Sequence, residues 1–272
     1  MSRIQWDSNG ERLYETGVKN CVLYVYDAGN YGEGVAWNGI TSISENPSGA
    51  EPTPLYADDI KYLNLISTEE FSASVEAYTY PLEFAECDGS AELASGIFIG
   101  QQPRKTFALC YRTTVGNDME GDAFGYKLHL IYGCTATPSQ KSYQTINNSP
   151  EAMTFSWDIN TVPVPVEGHK ATATLTIDST RTLPEKLKVI ENALYGADAD
   201  YYSESRTYAV GDYCAYDITN PSSLSNAGTY VCTTAVTTPG PWNSSCWESV
   251  DDDTVMDSHI LFPDEIFALM VD

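Results

Sequence analysis

From residue 21 to 180, short runs rich in Val, Ile, Tyr, Phe and Thr alternate with clusters of turn-forming residues. That punctuation belongs to an antiparallel β protein rather than to repeated βαβ units. It predicts strands over 21–26, 34–45, 56–66, 71–79, 96–99, 105–114, 124–136, 152–159 and 171–178. The runs LYADDIKYLNLI and FSASVEAYTY flank Ser67-Thr68-Glu69-Glu70 and predict one hairpin. KTFALCYRTTVG and FGYKLHLIYGCT predict a second, around Asn117-Asp118-Met119-Glu120-Gly121-Asp122, whose Asn, Asp and Gly supply turn conformations. ENPSGAEPTP (45–54) carries three prolines and a glycine and predicts a broken loop, of a length that often binds or acts. One helix is predicted where Leu187, Ile190 and Leu194 recur at spacings of three and four, opened by Pro184 and ended by Gly196. A shorter turn of helix is expected over 81–87, anchored by Phe84.

After Gly196 the composition changes. Residues 197–256 are dense in Tyr, Thr, Ser and Trp with Arg206 as the one cation, and predict a small second unit inserted between residues 1–196 and a tail, 257–272. The tail, HILFPDEIFALMVD, is apolar again and is expected to return to the main core.

Composition narrows the function. With 42% apolar and 12% aromatic residues against 19% charged, the chain has the makings of a core. Its 38 acids against 14 bases give a net charge of −24, and no basic run exceeds Arg104-Lys105. A grip on nucleic acid is therefore excluded as a function class. No stretch approaches ~20 apolar residues and the first residues lack a charged-then-apolar signal, so the expectation is a product made and kept in a cytoplasm, or one that leaves by cell lysis. The seven cysteines are odd in number, widely spaced and mostly set in apolar runs such as FALCY, as expected of free core residues.

Catalytic and metal signals are poor. Three histidines without CxxC or HExxH spacing offer zinc no cage. Glu76, Glu83, Glu86 and Asp88 crowd one segment and raise a glycosidase reading, but among 38 acids such crowding is ordinary and Glu86-Cys87-Asp88-Gly89 reads as a turn. No GxSxG elbow or phosphate loop is present. Asp251-Asp252-Asp253 with Asp257 lacks the spacing of a calcium loop and reads as a solvated linker. His129, within YKLHLIYG, reads as a strand histidine, and the nineteen tyrosines as half-buried packing residues.

Specific strings then point to a family. GVAWNGITSISENPSGAEPTPLYADDIKYLNLISTEEFSASVEAYTYPLEFAECDGS (34–90) closely resembles the major tail protein, or tail tube protein, of long non-contractile-tailed bacteriophages of Gram-positive hosts. GIFIGQQPRKTFALCYRT, GNDMEG, GYKLHLIYGCTATPS, INNSPEAMTFSWDINTVPV, ATLTIDST, LPEKLKVIENALYG and the PDEIFALM ending keep the order of that family, over about 25–196 and 257–270. The resemblance implies a mainly β subunit, an antiparallel β-sandwich with a flanking helix, whose hexameric rings join inner strands into one β-barrel around a channel. It implies stacking on a tape-measure protein, contact with tail terminator and distal tail proteins, and passage of viral DNA without specific binding. No enzyme activity, cofactor or membrane is implied, and the place of the protein is the virion, after assembly in the host cytoplasm. An acidic lumen repels phosphate, which makes Asp58, Asp59, Glu69, Glu70, Glu76, Asp118, Glu120 and Asp122 the candidate lumen or ring-edge acids. The loops 45–54 and 116–123 are the candidates for ring stacking.

Residues 201–250 resemble instead the small carbohydrate-binding modules of bacterial chitinases, through Tyr208, Gly211, Asp212, Tyr216, Tyr230 and Trp247. After Tyr230 those modules carry adjacent exposed aromatics where this chain has Thr233-Thr234-Ala235. A glycan platform, for instance toward host cell-wall glycans, therefore falls to Trp242, Tyr201 or Tyr202, and the competing reading of the unit is an all-β decoration with a miniature aromatic core. For the whole chain the competing class is a soluble carbohydrate-active or lectin-like protein.

Overall fold

A computed structural model describes residues 4–146, 152–197, 199–218, 228–250 and 257–271. The elements of the larger unit are β1 (Leu13–Asp27), β2 (Asn30–Trp37), β3 (Ile40–Gly49), β4 (Pro52–Ala57), β5 (Ile60–Ile66), β6 (Glu69–Ala77), α1 (Phe84–Cys87), β7 (Ala91–Ala94), β8 (Ile97–Ile99), β9 (Phe107–Asn117), β10 (Gly121–Ala136), β11 (Phe155–Thr161), β12 (Thr174–Asp178), α2 (Pro184–Tyr195) and α3 (Pro263–Val271). The main sheet runs β2-β1-β9-β10-β11-β6-β3, with β12 also on β10. β10 is shared: Lys127–Ile131 pair with β12, and Cys134–Ala136 pair with β11. Between these stretches Gly133 takes φ +60°, and a Cβ there would stand 2.2 Å from the Val162 carbonyl oxygen. The sheet turns at that point into two layers, a back layer of β2, β1, β9, β10 and β12 and a front layer of β11, β6 and β3.

Strand alternation explains why the back layer is apolar on both faces. Phe107, Leu109 and Tyr111 of β9, with Cys21, Leu23 and Ile131, face the front layer and meet Ala73, Val75, Trp157 and Ile159. Their neighbours Ala108 and Cys110, with Val22, Tyr24, Leu128 and Leu130, face the other way. There they meet Leu187, Ile190 and Leu194 of α2, and Ile260, Leu261 and Ile266 of the tail. FALCY is therefore buried at every position. Phe84 is fully buried among Trp37, Phe107 and Trp157, which anchors the one-turn helix α1.

Several predicted strands are differently divided. The run 34–45 is two strands, β2 and β3, broken at Asn38-Gly39, where the chain passes from the back layer to the front. The run 56–66 folds back on itself at Asp58-Asp59, both with positive φ, to make the β4–β5 hairpin. β6 consequently pairs with β3 and β11 rather than with 56–66. The segment 45–54 is strand at both ends rather than loop. The physical reason is register: the pairing from Ile43↔Val75 to Gly49↔Glu69 resumes unshifted at Pro52↔Ile66 and runs to Leu55↔Leu63. Residues 40–77 thus form one long hairpin whose outer part, β4 and β5, is exposed throughout.

The smaller unit is a sheet of β13 (Asp200–Tyr201), β14 (Tyr213–Tyr216), β15 (Gly228–Cys232) and β16 (Trp247–Val250) in that order, with β13 parallel to β14 and the rest antiparallel. Tyr208, Cys214, Cys232 and Trp247 make its core. It rests on α2 through a Lys188–Asp212 ion pair and a hydrogen bond from Asn192 Nδ2 to the Gly211 carbonyl, 2.8 Å. Asp251, Asp252 and Asp253 lie outside the described residues.

Candidate functional site

The front layer sends its odd-numbered β6 residues into the core, so the even-numbered ones form its outer face. Cross-strand pairing sets them in rows: Ser42, Glu76 and Ser156; Ser44, Ser74 and Asp158; Asn46, Ser72 and Asn160; then Ser48 and Glu70. Every position is Ser, Asn, Asp or Glu. The Ser72 hydroxyl donates to the Asn46 carbonyl at 2.9 Å, and the Ser42 hydroxyl to Glu76 at 3.2 Å. Among the described residues these rows carry carboxylates, no cation and no large apolar side chain. It lies across the sandwich from α2, and so from the smaller unit that rests on α2.

The projecting hairpin is of opposite character. Leu55 faces Leu63 and Thr53 faces Leu65 across its strands, and Tyr56, Ile60, Tyr62 and Ile66 are also exposed. A two-strand hairpin without cover is marginal in water, and exposed apolar side chains on both of its faces mark a contact surface. β3 ends the sheet order, so its outer edge is open as well.

The candidate acids fall in four places. Asp58 and Asp59 form the hairpin tip. Glu69 and Glu70 stand at its base, and Glu76 on the polar face. Asp118 and Asp122, in the β9–β10 turn, hold the N-terminal segment: Asp118 accepts from Gly10 N–H at 2.9 Å and pairs with Arg12 at 3.7 Å, and Asp122 accepts from the Tyr14 hydroxyl at 2.8 Å. The Glu120 N–H donates to Asn117 Oδ1 and closes that turn. Because Leu13 pairs with Asn117 and Glu45 reaches Tyr111, the hairpin, the N-terminal segment and this turn stand at one end of the sandwich. The serine and asparagine rows, and Asp158, were missed by a reading that sought carboxylates. Their signal was the alternation of hydroxyls with apolar residues in SISENPS, SASVE and SWDIN.

In the smaller unit Trp242 stacks on Tyr216 at 4.1 Å and on Trp247 at 5.1 Å, with the rings of Tyr202 and Tyr230 set edgewise against it. Tyr202 stacks on Tyr208. Tyr201, 58% exposed, offers its ring to solvent. Burial pushes the thiols of Cys87, Cys110 and Cys214 up to about 12, which keeps them protonated at neutral pH. Among the described residues no cluster of three His, Cys, Asp or Glu has the arrangement of a metal site, and no helix is long and apolar enough to cross a membrane.

No family model and no curated protein matches this chain. Among solved structures it is similar to a chain of the six-fold symmetrised cryo-EM structure of the anti-feeding prophage baseplate, 10% identical with a TM-score of 0.33, over 66% of this chain and 99% of that one.

Proposed function

We propose that this chain is a non-enzymatic tail tube subunit, six copies of which close into a ring with the polar sheet face toward the channel. The observation that carries the reading is that face, hydroxyl-rich and acidic, with no cation in its rows, on the side of the sandwich away from the smaller unit. A wall of this kind repels DNA phosphates and presents no base with which they could pair. The strings between 34 and 180 that resemble tail tube proteins support the same reading from the sequence.

The open edge of β3 would pair with a neighbouring subunit and the apolar hairpin would seat on the next ring, a heterologous contact that repeats without limit until a terminator caps it. Tape-measure, terminator and distal tail proteins are the partners this role requires. The smaller unit, on the outer side, serves as decoration. Its rings are largely used in mutual packing, which leaves Tyr201 as the group for any glycan contact.

Sedimentation and negative-stain microscopy of the concentrated protein test the proposal. Six-fold rings or tubes are expected, and the triple variant Leu55→Ser, Leu63→Ser, Leu65→Ser should fold normally by circular dichroism yet fail to stack. A wild-type chain that stays monomeric at high concentration would sink the reading.

A further inference from the structure

At the hairpin end, between the layers, lies a recess of about 430 Å³ into which Glu15, Glu45, Thr113 and His129 bring polar groups. His129 of β10 lies in it, its ring stacked on Tyr111 of β9 at 4.8 Å and 9°. The groups facing it come from five strands: Glu15 of β1, Glu45 of β3, Tyr111 and Thr113 of β9, Lys127 of β10, and Thr176 of β12, with Asp178 beyond Lys127.

The hydrogen bonds assign the ring. Thr113 gives its one hydroxyl proton to Glu15 Oε1 at 2.6 Å, so it must accept from His129 Nε2–H at 2.9 Å. Nδ1 is then the free acceptor, with the Thr176 hydroxyl at 3.5 Å. In this arrangement the ring is neutral and satisfied at both nitrogens. Glu45, at the base of the projecting hairpin, is held by the Tyr111 hydroxyl at 2.5 Å, and Tyr111 is in turn held flat by the imidazole.

We infer that this recess is an acid-released latch on the projecting hairpin: neutral His129 keeps the base of β3 seated on Tyr111, and protonation of His129 loosens it. A proton on Nδ1 places a charge in a half-buried site with Lys127 nearby. Two carboxylates could answer it, and both are engaged: Glu15, 3.5 Å from Nε2, takes the Thr113 proton and the Lys127 ammonium, and Glu45, 3.9 Å from Nδ1, takes the Tyr111 hydroxyl. Burial outweighs the pull of Glu45 and Glu15 and holds the imidazole below its ordinary range. Proton uptake consequently favours any state in which the recess opens to water, and the hairpin base can give way because β3 ends the sheet order, paired on one side by β6.

Amide exchange of peptides covering 41–48 and 69–76, corrected for intrinsic rates, tests the latch at pH 7 and pH 5. Protection should fall about fivefold or more in acid in the wild type and stay level in His129→Asn. Unchanged wild-type protection overturns the latch, as does an equal fall in His129→Asn, which would make the carboxylates the sensors. Should that variant fold poorly, the wild type alone decides by NMR. The ring must be the Nε2–H tautomer at neutral pH and titrate below the roughly 6.5 of an unstructured histidine, and a midpoint at or above that value overturns the proposal.

Discussion

At the scale of single residues, Gly133 decides how the sheet divides. Its left-handed backbone lets β10 leave β12 and take up β11, and the approach of the Val162 carbonyl leaves no room for a side chain. Gly133→Ala adds a methyl group at a φ that L-residues resist and 2.2 Å from a backbone oxygen. It should cost at least about 3 kcal/mol, read as a lowered urea midpoint. A loss below about 1 kcal/mol would mean that the layers are not hinged on this residue. From the sequence, GC within an apolar run could equally have been ordinary strand, because nothing local announces that another carbonyl closes in from thirty residues on. Other residues were legible: Phe84 as an anchor, the leucines of α2, and the cysteines of FALCY and LIYGC as core. In each of these, local periodicity and burial make the same demand.

Whole elements were harder to read where pairing is non-local. Alternation in LYADDIKYLNLI is genuine strand pattern, and only the positive φ at Asp58 and Asp59, which the sequence marks without a glycine, divides it into a hairpin. The β9–β10 hairpin was legible because its turn carries Asn, Asp and Gly in sequence. The joint between α2 and the smaller unit had no sequence signal at all, since it joins residues 19 and 24 positions apart by polar contacts. That joint is testable. A partly exposed ion pair contributes about 0.5 kcal/mol and a neutral hydrogen bond about 1 kcal/mol, so Lys188→Ala with Asn192→Ala should free the smaller unit while leaving the sandwich intact. Limited proteolysis should then release residues after Gly196 several-fold faster, with no change in cleavage within the sandwich. Equal release from wild type and variant would show that the joint does not fix the unit in place.

For the whole molecule, the charge of −24 is informative because of where the bases go. Residues 1–196 hold 25 acids and 13 bases, and 197–272 hold 13 acids and one base, so each part contributes −12. In the larger unit Arg12 pairs with Asp118, Lys105 with Asp27 and Glu86, Lys127 with Glu15, Lys141 with Asp88, and Lys188 with Asp212 of the smaller unit. These cations stand at the ends, the interior mouth or the helix side, and the front face keeps Glu70, Glu76 and Asp158 without a base among its rows. Composition alone argues against a grip on nucleic acid; the layout sets acids without a base in the rows of one sheet face. If the face lines a DNA channel, adding cations to it must convert a repelling wall into a holding one. Ser44→Lys, Ser74→Lys and Asp158→Lys sit side by side in one row and together raise the face by four charges per subunit. Ser44 and Asp158 are exposed and Ser74 half-buried, so the first two changes should each cost no more than about 0.5 kcal/mol and the third somewhat more. Tubes of the variant should assemble, retain short duplex DNA in low salt and release it steeply as salt rises, because each phosphate contact gives up a counterion. Virions carrying the variant should eject DNA more slowly than wild type. Tubes that form normally and neither retain DNA nor slow ejection would place this face away from the DNA path.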